Sequence, residues 1–384
     1  MTNYASEFII PNGIYALSHS VGPLPKAAKV ALERHYFEPW QAEGGDAWPS
    51  WLAQISAFNR NIAQLVNAKE SEVCPQSNLA SGFSSFLSAI AKRPETRQQR
   101  VVVMHEDAFA SMGFVVTGLA HSYQLELVLV KGAANNIEAW REICEKHDVL
   151  ACLITHVHSN TSIKSDIPTI VDAIREFTPY ICVDVAQSIG IVPVDFANWQ
   201  VEAIFGSCVK WLCGGSGAGF MVVNANIVTT LQADLLGWFS HENPFEFDMT
   251  HYKNAKDAKR FWGGTPSVAP YVLANASIEV LKKISYQYLV THNYSLKQTL
   301  INKLSEECLA HSAYAFLNQS EISKATGGSL CIQAANTSIT IKKLKHHHVR
   351  FDQRNGLFRI SLHVMNTPEE AEIIAACFNL NETI

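Results

Sequence analysis

Two residues of this chain have the types and settings for covalent chemistry. Lys210 lies in Ser207-Cys208-Val209-Lys210-Trp211, between apolar and aromatic neighbours, and Gly214, Gly215, Gly217 and Gly219 follow it. Burial among such neighbours disfavours the ammonium form and frees the amine as a nucleophile. Asp184 closes Ile181-Cys182-Val183, a short apolar run that reads as a fully buried strand, and so stands at a strand's carboxyl end. A carboxylate there is costly unless a cation or a donor meets it. Each residue alone has an ordinary structural reading, the lysine as a snorkelling side chain and the acid as a cap or turn former.

Taken together, with the glycine run behind them, they suit pyridoxal phosphate. A lysine would hold the aldehyde as a Schiff base while the carboxylate keeps the pyridine nitrogen protonated, so that the ring accepts electrons from a substrate's α-carbon. The glycines do not make a dinucleotide fingerprint: Gly215-Ser216-Gly217 lacks the third glycine, and Phe220-Met221-Val222-Val223 reads as a strand where a helix is required. A hairpin-like turn behind the lysine fits them better. Arg359, in Phe358-Arg359-Ile360-Ser361, is an arginine inside an apolar strand, where a lone guanidinium would be prohibitive. Its planar fork suits a carboxylate, either a substrate's or that of a buried Asp or Glu. Asp352-Gln353-Arg354 precedes it as a support or rim group. His156 and His158, two apart on one face of an extended chain, have metal-ligand spacing. Without an acidic or histidine partner at a supporting distance, no metal site is expected, and a metal-dependent hydrolase on this pair is the outlying alternative.

The elements that must position these residues alternate. Val101 to Met104, Leu125 to Val130, Val149 to Thr155 and the run ending at Asp184 read as strands, with helices over Ile137 to His147 and Pro168 to Phe177 between them. Repeated βα units make a mainly parallel sheet between helices, and ligands of such sheets gather at strand carboxyl ends. Thr155, Asp184 and Lys210 are all expected at such ends. Ser77 and Asn78 precede a further helix, whose free first amides could bind phosphate or simply be capped. Further helices are read over Pro25 to Tyr36, Leu52 to Leu65, Ser267 to Ile284 and Tyr288 to Cys308. The last part reads as strand Ser329 to Gln333, helix Ile339 to Lys345, strand Leu357 to Leu362 and a helix started by Thr367-Pro368-Glu369-Glu370.

A chain of 384 residues suits two associated domains, and 48% apolar with 17% charged residues supplies a large core. A net charge of −5 argues against nucleic acid or an anionic membrane as partner. The nine cysteines have no framework spacing, and Cys152, Cys182 and Cys208 fall in apolar runs, which indicates a reducing compartment. With no leader-like start and no apolar run of spanning length, a cytoplasmic protein is expected.

Val183-Asp184-Val185-Ala186-Gln187-Ser188-Ile189-Gly190, Pro193-Val194-Asp195, and Lys210-Trp211-Leu212 with the glycines resemble the class V aminotransferases, a pyridoxal phosphate group that includes kynureninases, cysteine desulfurases and isopenicillin epimerase-like proteins. The resemblance spans nearly the whole chain. It implies the aspartate-aminotransferase-like architecture, fold type I: a large α/β domain with a mainly parallel seven-stranded sheet over residues 51–280, and a smaller α+β domain over 281–384. Residues 1–50 would serve the small domain and the active-site mouth. It further implies that Lys210 and Asp184 are catalytic and that the cofactor phosphate sits at Asn78, Leu79 and Ala80. Phe109 would stack on the pyridine face; Thr155 or His158 would reach the ring oxygen or the phosphate; Gln187, Ser207 and Trp238 would line the cofactor. Arg359 would take the substrate carboxylate, with His241 and His19 nearby, and Thr265 would reach the phosphate held by the other subunit of a homodimer.

The reaction is less narrowly implied. Kynureninases usually carry Tyr before the lysine, His at the position of Gln187 and Asn at that of Thr265; here the first is Val209. Cysteine desulfurases use a mobile-loop cysteine, whereas Cys331 falls in an expected strand. The reading is aminotransferase-type chemistry on an amino acid, with a kynureninase-like hydrolase, or another lyase or epimerase, as the alternative.

Overall fold

The computed structural model describes residues 4–311, 314 and 317–379. Its centre is a seven-stranded sheet of Val73–Gln76 (β1), Val101–His105 (β2), Glu126–Val130 (β3), Val149–Thr155 (β4), Tyr180–Asp184 (β5), Ala203–Ser207 (β6) and Gly219–Val223 (β7). The strands lie in the order β1-β7-β6-β5-β4-β2-β3, and only β7 runs against its neighbours. β2, β4 and β5 are buried along their whole length, as strands covered on both faces must be. Their side chains alternate between two cores: Val103, Ile154 and Val183 face one, Met104, Leu153 and Cys182 the other. Fold type I, with its mainly parallel seven-stranded sheet, is therefore the observed architecture.

Several boundaries differ from the sequence reading. The sequence reading has no strand at Val73–Gln76 (β1), where Pro75 lacks an N–H; β1 is an edge strand, where such a residue is tolerated. β6 ends at Ser207, so Lys210 lies three residues past a strand's end, in the turn that leads to β7. Helix Trp48–Val66 (α1) starts a turn early, with Pro49 in its first turn, and the helix expected over Tyr288 to Cys308 ends at Lys303 and restarts at Glu306. The stretch from Lys26 is helical to Leu32 and then widens into a π turn over Glu33–Phe37.

Beyond the helices Ala269–Ile284 and Tyr286–Lys303, a second, antiparallel sheet carries Leu330–Gln333 (β8), Asp352–Arg354 (β9) and Leu357–Ile360 (β10), in the order β8-β10-β9. Its own core gathers Leu296, Leu330, Ile332, Phe358 and Ile374, and Ile14 and Ala16 join it from the amino-terminal end. Ile14–Tyr15 pairs in parallel with Val349–Arg350. The β9–β10 link is Asn355-Gly356, with φ of 52° and 81°, the positive pair that a two-residue hairpin turn matching the strand twist requires. That turn fixes the register, and Asp352 lies directly opposite Arg359.

Candidate active site

Register brings the carboxyl ends of β4, β5 and β6 together: Thr155 is paired with Asp184, and Asp184 with Phe205. A cavity of about 290 Å³ opens there. Its floor is Thr155, Asp184, Ser207 and Lys210; one wall is Asn78, Leu79 and Ala80, and the other holds Phe109 and Gln187. These nine residues come from β4, β5 and β6 with the turns after them, from the start of helix Leu79–Ala91 and from the residue before helix Ala110–Tyr123. The cavity also has Ser111, Met112, Val157, Ser159, Ala186 and Val209, which sequence reasoning did not assign.

Asp184 is 5% exposed. Its Oδ1 accepts the Ala186 N–H at 2.8 Å. Burial raises the carboxyl's pKa, against the pull of that amide and of Lys210. Burial likewise pulls the Lys210 ammonium down to about 8, Asp184 opposing and the Arg359 and Arg354 guanidiniums adding to the fall. A lysine poised there is charged or neutral at modest cost near neutral pH, as an amine that must both attack and carry protons requires. The turn that presents it is held by Cys213 N–H to the Lys210 carbonyl (2.9 Å) and Gly214 N–H to the Cys208 carbonyl (2.7 Å). Gly22 touches it from the amino-terminal segment, donating to the Val209 carbonyl at 2.8 Å; a Cβ on Gly22 would lie 2.2 Å from the Lys210 carbonyl oxygen.

Helix Leu79–Ala91 (α2) begins at the cavity. Asn78 caps it, Oδ1 accepting the Ser81 N–H at 2.9 Å, which leaves the earlier amides of Leu79 and Ala80 without an intrahelical partner. Gly219 permits this placement: a Cβ there would meet the Asn78 backbone at 2.8–2.9 Å. Phe109 caps helix Ala110–Tyr123 and stands 43% exposed on the cavity, with Lys210 Nζ 5.8 Å from its ring centroid. Thr155 Oγ1 is buried without a hydrogen-bond partner. Free amides at a helix start, a flat exposed ring, an orphaned hydroxyl, a buried acid and a lysine of lowered pKa together fit pyridoxal phosphate.

His158 is not part of this group. The chain stays extended past β4, so Thr155, Val157 and Ser159 face the cavity and His156 and His158 face away. His158 stands edge-on to His105 at 4.9 Å, with Nε2 3.2 Å from Ser165 Oγ, and His156 packs on Trp199 at 4.8 Å. The spacing that put the two imidazoles on one face was right; the face is the covered one. Burial drops both rings to a pKa of about 3. His158 does approach His105 and Asp107, with ligand atoms within 4.8 Å. His105 has no lone pair to spare there, since Nδ1 accepts the Asp107 N–H and Nε2 faces the Gly132 carbonyl.

Trp238, His241 and Thr265 lie outside the cavity in the single chain. Trp238 Nε1 donates to Thr265 Oγ1 at 3.1 Å, and Thr265 lines a neighbouring hollow with Ser77 and Ser81, across the start of α2 from Lys210. His241 lies by Asn243, whose N–H it accepts at 2.9 Å. His19 does come to the rim. Gln187 Nε2 donates to its carbonyl at 3.0 Å, Ser361 Oγ is 2.6 Å from its Nδ1 and Asp352 Oδ1 is 3.2 Å from its Nε2.

Arg359 is 5% exposed and already carries an acid. Nε donates to Asp352 Oδ1 at 2.8 Å, Nη2 to Asp352 Oδ2, and Nη1 to the Ser159 carbonyl at 3.1 Å. Asp352 braces one edge of the fork, and N–H groups beyond those three donors remain for another anion. The signal for the brace was Asn355-Gly356, whose hairpin sets Asp352 across from Arg359.

The fold and the cavity define a pyridoxal phosphate enzyme of fold type I. The class V aminotransferase family model matches residues 30–313, and the chain belongs to that family, with pyridoxal phosphate as its cofactor. Among its relatives, a kynureninase of Pseudomonas fluorescens is 24% identical over 79% of this chain and 74% of its own. An uncharacterized aminotransferase of Bacillus subtilis (strain 168) is 24% identical over 85% and 83%. The structure superposes on the apo cysteine desulfurase of Thermococcus onnurineus NA1 with a TM-score of 0.83 at 17% identity, covering 98% of this chain and 97% of that one. A mutant of the C-DES lyase with glycine linked to its cofactor gives 0.84, also at 17% identity, over 98% of each chain. At such identity the likeness is one of fold. Among the described residues no helix is long and apolar enough to cross a membrane.

Proposed function

We propose that this enzyme carries out aminotransferase-type chemistry on an amino acid, with Lys210 as its acid and base. The observation that carries the reading is the cavity's lining, in which Lys210 and Asp184 are joined by no histidine, cysteine, tyrosine or glutamate among the described residues, so that no second acid–base group or nucleophile stands ready for side-chain cleavage. When bound, pyridoxal phosphate supplies the electron sink that makes the substrate's α-proton removable. Asp184 would set its carboxylate against the ring nitrogen, whose positive charge would offset the cost of burying the acid. Lys210 Nζ is placed to take the α-proton and hold it for return, one of the proton transfers that amino transfer requires. Leu79 and Ala80 would offer their amides to the phosphate, Thr155 its hydroxyl and Gln187 and Ser207 further polar contacts, and Phe109 would cover the ring. Arg359, oriented by Asp352, receives the α-carboxylate, with His19 steadying Asp352.

No cysteine lines the cavity and all nine are buried, which speaks against a cysteine nucleophile and so against desulfuration. Val209 stands where a hydroxyl would be wanted for kynurenine hydrolysis. The second reading, a kynureninase-like cleavage of the substrate side chain, draws its support from the relatives of that name. The enzyme acts as a cytoplasmic homodimer in this proposal, Trp238, His241 and Thr265 serving the partner's site from across α2. Two domains meet near residue 280, with residues up to about 50 belonging to the smaller one.

The test is a panel of amino acids added to the holoenzyme while its visible spectrum is followed, with products separated afterwards. A 2-oxo acid of unchanged carbon skeleton supports amino transfer. A shortened skeleton or released sulfur moves the assignment to the cleavage reading, and a protein whose visible band does not depend on Lys210 removes both.

A further inference from the structure

The charge balance at the rim leaves one cation over. Arg359 and Asp352 neutralise each other, whereas Arg354, on the same hairpin, has no carboxylate within ion-pair distance among the described residues. Its contacts are neutral: Nη1 lies 3.1 Å from Ser159 Oγ and 3.4 Å from Asn160 Oδ1, and the guanidinium stands 5.9 Å from the Phe109 ring centroid. Ser159 and Phe109 both line the cavity. Arg354 is half-buried, which makes an unpaired charge there more costly than on an open surface.

The hairpin explains why the two arginines act together. Arg354 pairs with Leu357 and Asp352 with Arg359, so all four side chains leave one face. Arg354 and Arg359 are then diagonal neighbours across the ladder, with backbones about 7–8 Å apart. Both reach Ser159, one through its hydroxyl and the other through its carbonyl. The site therefore offers a braced guanidinium and, a short step outward, a second one without an acid.

We propose that Arg354 binds a second anionic group, so that the substrate is an amino acid with an acidic side chain, a dicarboxylic amino acid in the simplest case. The inference rests on the proposed function, in which Arg359 takes the α-carboxylate. It also separates the two readings there, because a neutral aromatic side chain leaves Arg354 unpaired. Arg354 is a specificity residue in this account; Lys210 and Asp184 carry the chemistry whichever amino acid is bound.

The experiment is spectral titration of the holoenzyme with aspartate, glutamate, asparagine, glutamine and alanine, on the natural protein and on Arg354→Gln and Arg354→Lys. The natural enzyme is expected to bind at least one of the two acids tenfold or more tighter than its amide. Arg354→Gln should abolish that ratio by weakening the acid alone, with the cofactor band unchanged, and Arg354→Lys should restore part of it. The proposal is overturned if acid and amide bind alike in the natural protein, if neither acid binds, or if Arg354→Gln weakens acid and amide equally. A coloured, Lys210-dependent enzyme indifferent to the acid fails this inference alone; absence of a Lys210-dependent band fails the proposed function beneath it.

Discussion

The floor of the cavity and its rim handle buried charge in opposite ways. On the floor, the buried Lys210 has Asp184 as its counter-charge, and burial moves both groups toward their neutral forms. On the rim, Asp352 is held down at about 2: burial opposes this, but hydrogen bonds from His19 and Arg359 outweigh it. A weakly partnered charge becomes a reactive group because its protonation can change; a closely partnered one becomes a fixture because its protonation cannot. Under the proposed function, chemistry belongs to the first region and recognition to the second.

Replacing the floor's amine should do the greatest damage. Lys210→Ala is expected to lower turnover by roughly 10²–10⁴-fold, the usual worth of a placed acid–base group, with the circular dichroism spectrum retained. The pH dependence of stability then separates the regions. The unfolded chain binds more protons than the folded one between Lys210's pKa of about 8 and the ordinary lysine value of 10.5, so stability should rise with pH across that window. Asp352, depressed from 3.8 to about 2, contributes stability that is present above about pH 4 and lost as pH falls through 2. Urea midpoints against pH should show both slopes, Lys210→Ala flattening the alkaline one and Asp352→Asn the acid one. If each variant flattened the other's limb, the contrast would be wrong.

Next in size, Asp352→Ala leaves the guanidinium of Arg359 buried without its acid. A loss of about 3 kcal/mol is expected by urea denaturation, the lower end for a broken buried pair because Asp352's side chain is 31% exposed. Phe109→Ala should weaken cofactor retention by roughly two- to tenfold, the worth of one ring contact, with little change in apoprotein stability since the ring is already 43% exposed. Equilibrium dialysis of the cofactor measures it. Thr155→Val should act least on the apoprotein, leaving it unchanged or steadier by up to about 1 kcal/mol, because an unpartnered buried hydroxyl is removed. The same change should loosen the cofactor, and tighter binding instead would mean that the hydroxyl faces nothing there.

How far each region could be read in advance follows from how local its causes are. The apolar run before Asp184, the small polar residues before α2 and the lysine among apolar neighbours are statements about adjacent residues, and the cavity holds all three. His158 misled because alternation tells which residues share a face without telling which face is open. Thr155, Val157 and Ser159 were as regularly spaced, and only the packing of His158 on His105 and of His156 on Trp199 decided between the two sets. The brace on Arg359 is locally encoded by Asn355-Gly356, a two-residue turn signal, but its consequence, Asp352 opposite Arg359, exists only once the hairpin register is set.

By itself the sequence determined the alternation of elements, the class of cofactor chemistry and the residues that could perform it, since hydrophobic period, capping and residue type act over a few neighbouring positions. The tertiary structure alone decided which ends of which strands meet, that Lys210 stands beyond its strand, and which of two arginines on one hairpin face keeps a charge to spare. Those outcomes depend on strand register and on who else is buried nearby, and both are set by contacts between residues far apart in the chain.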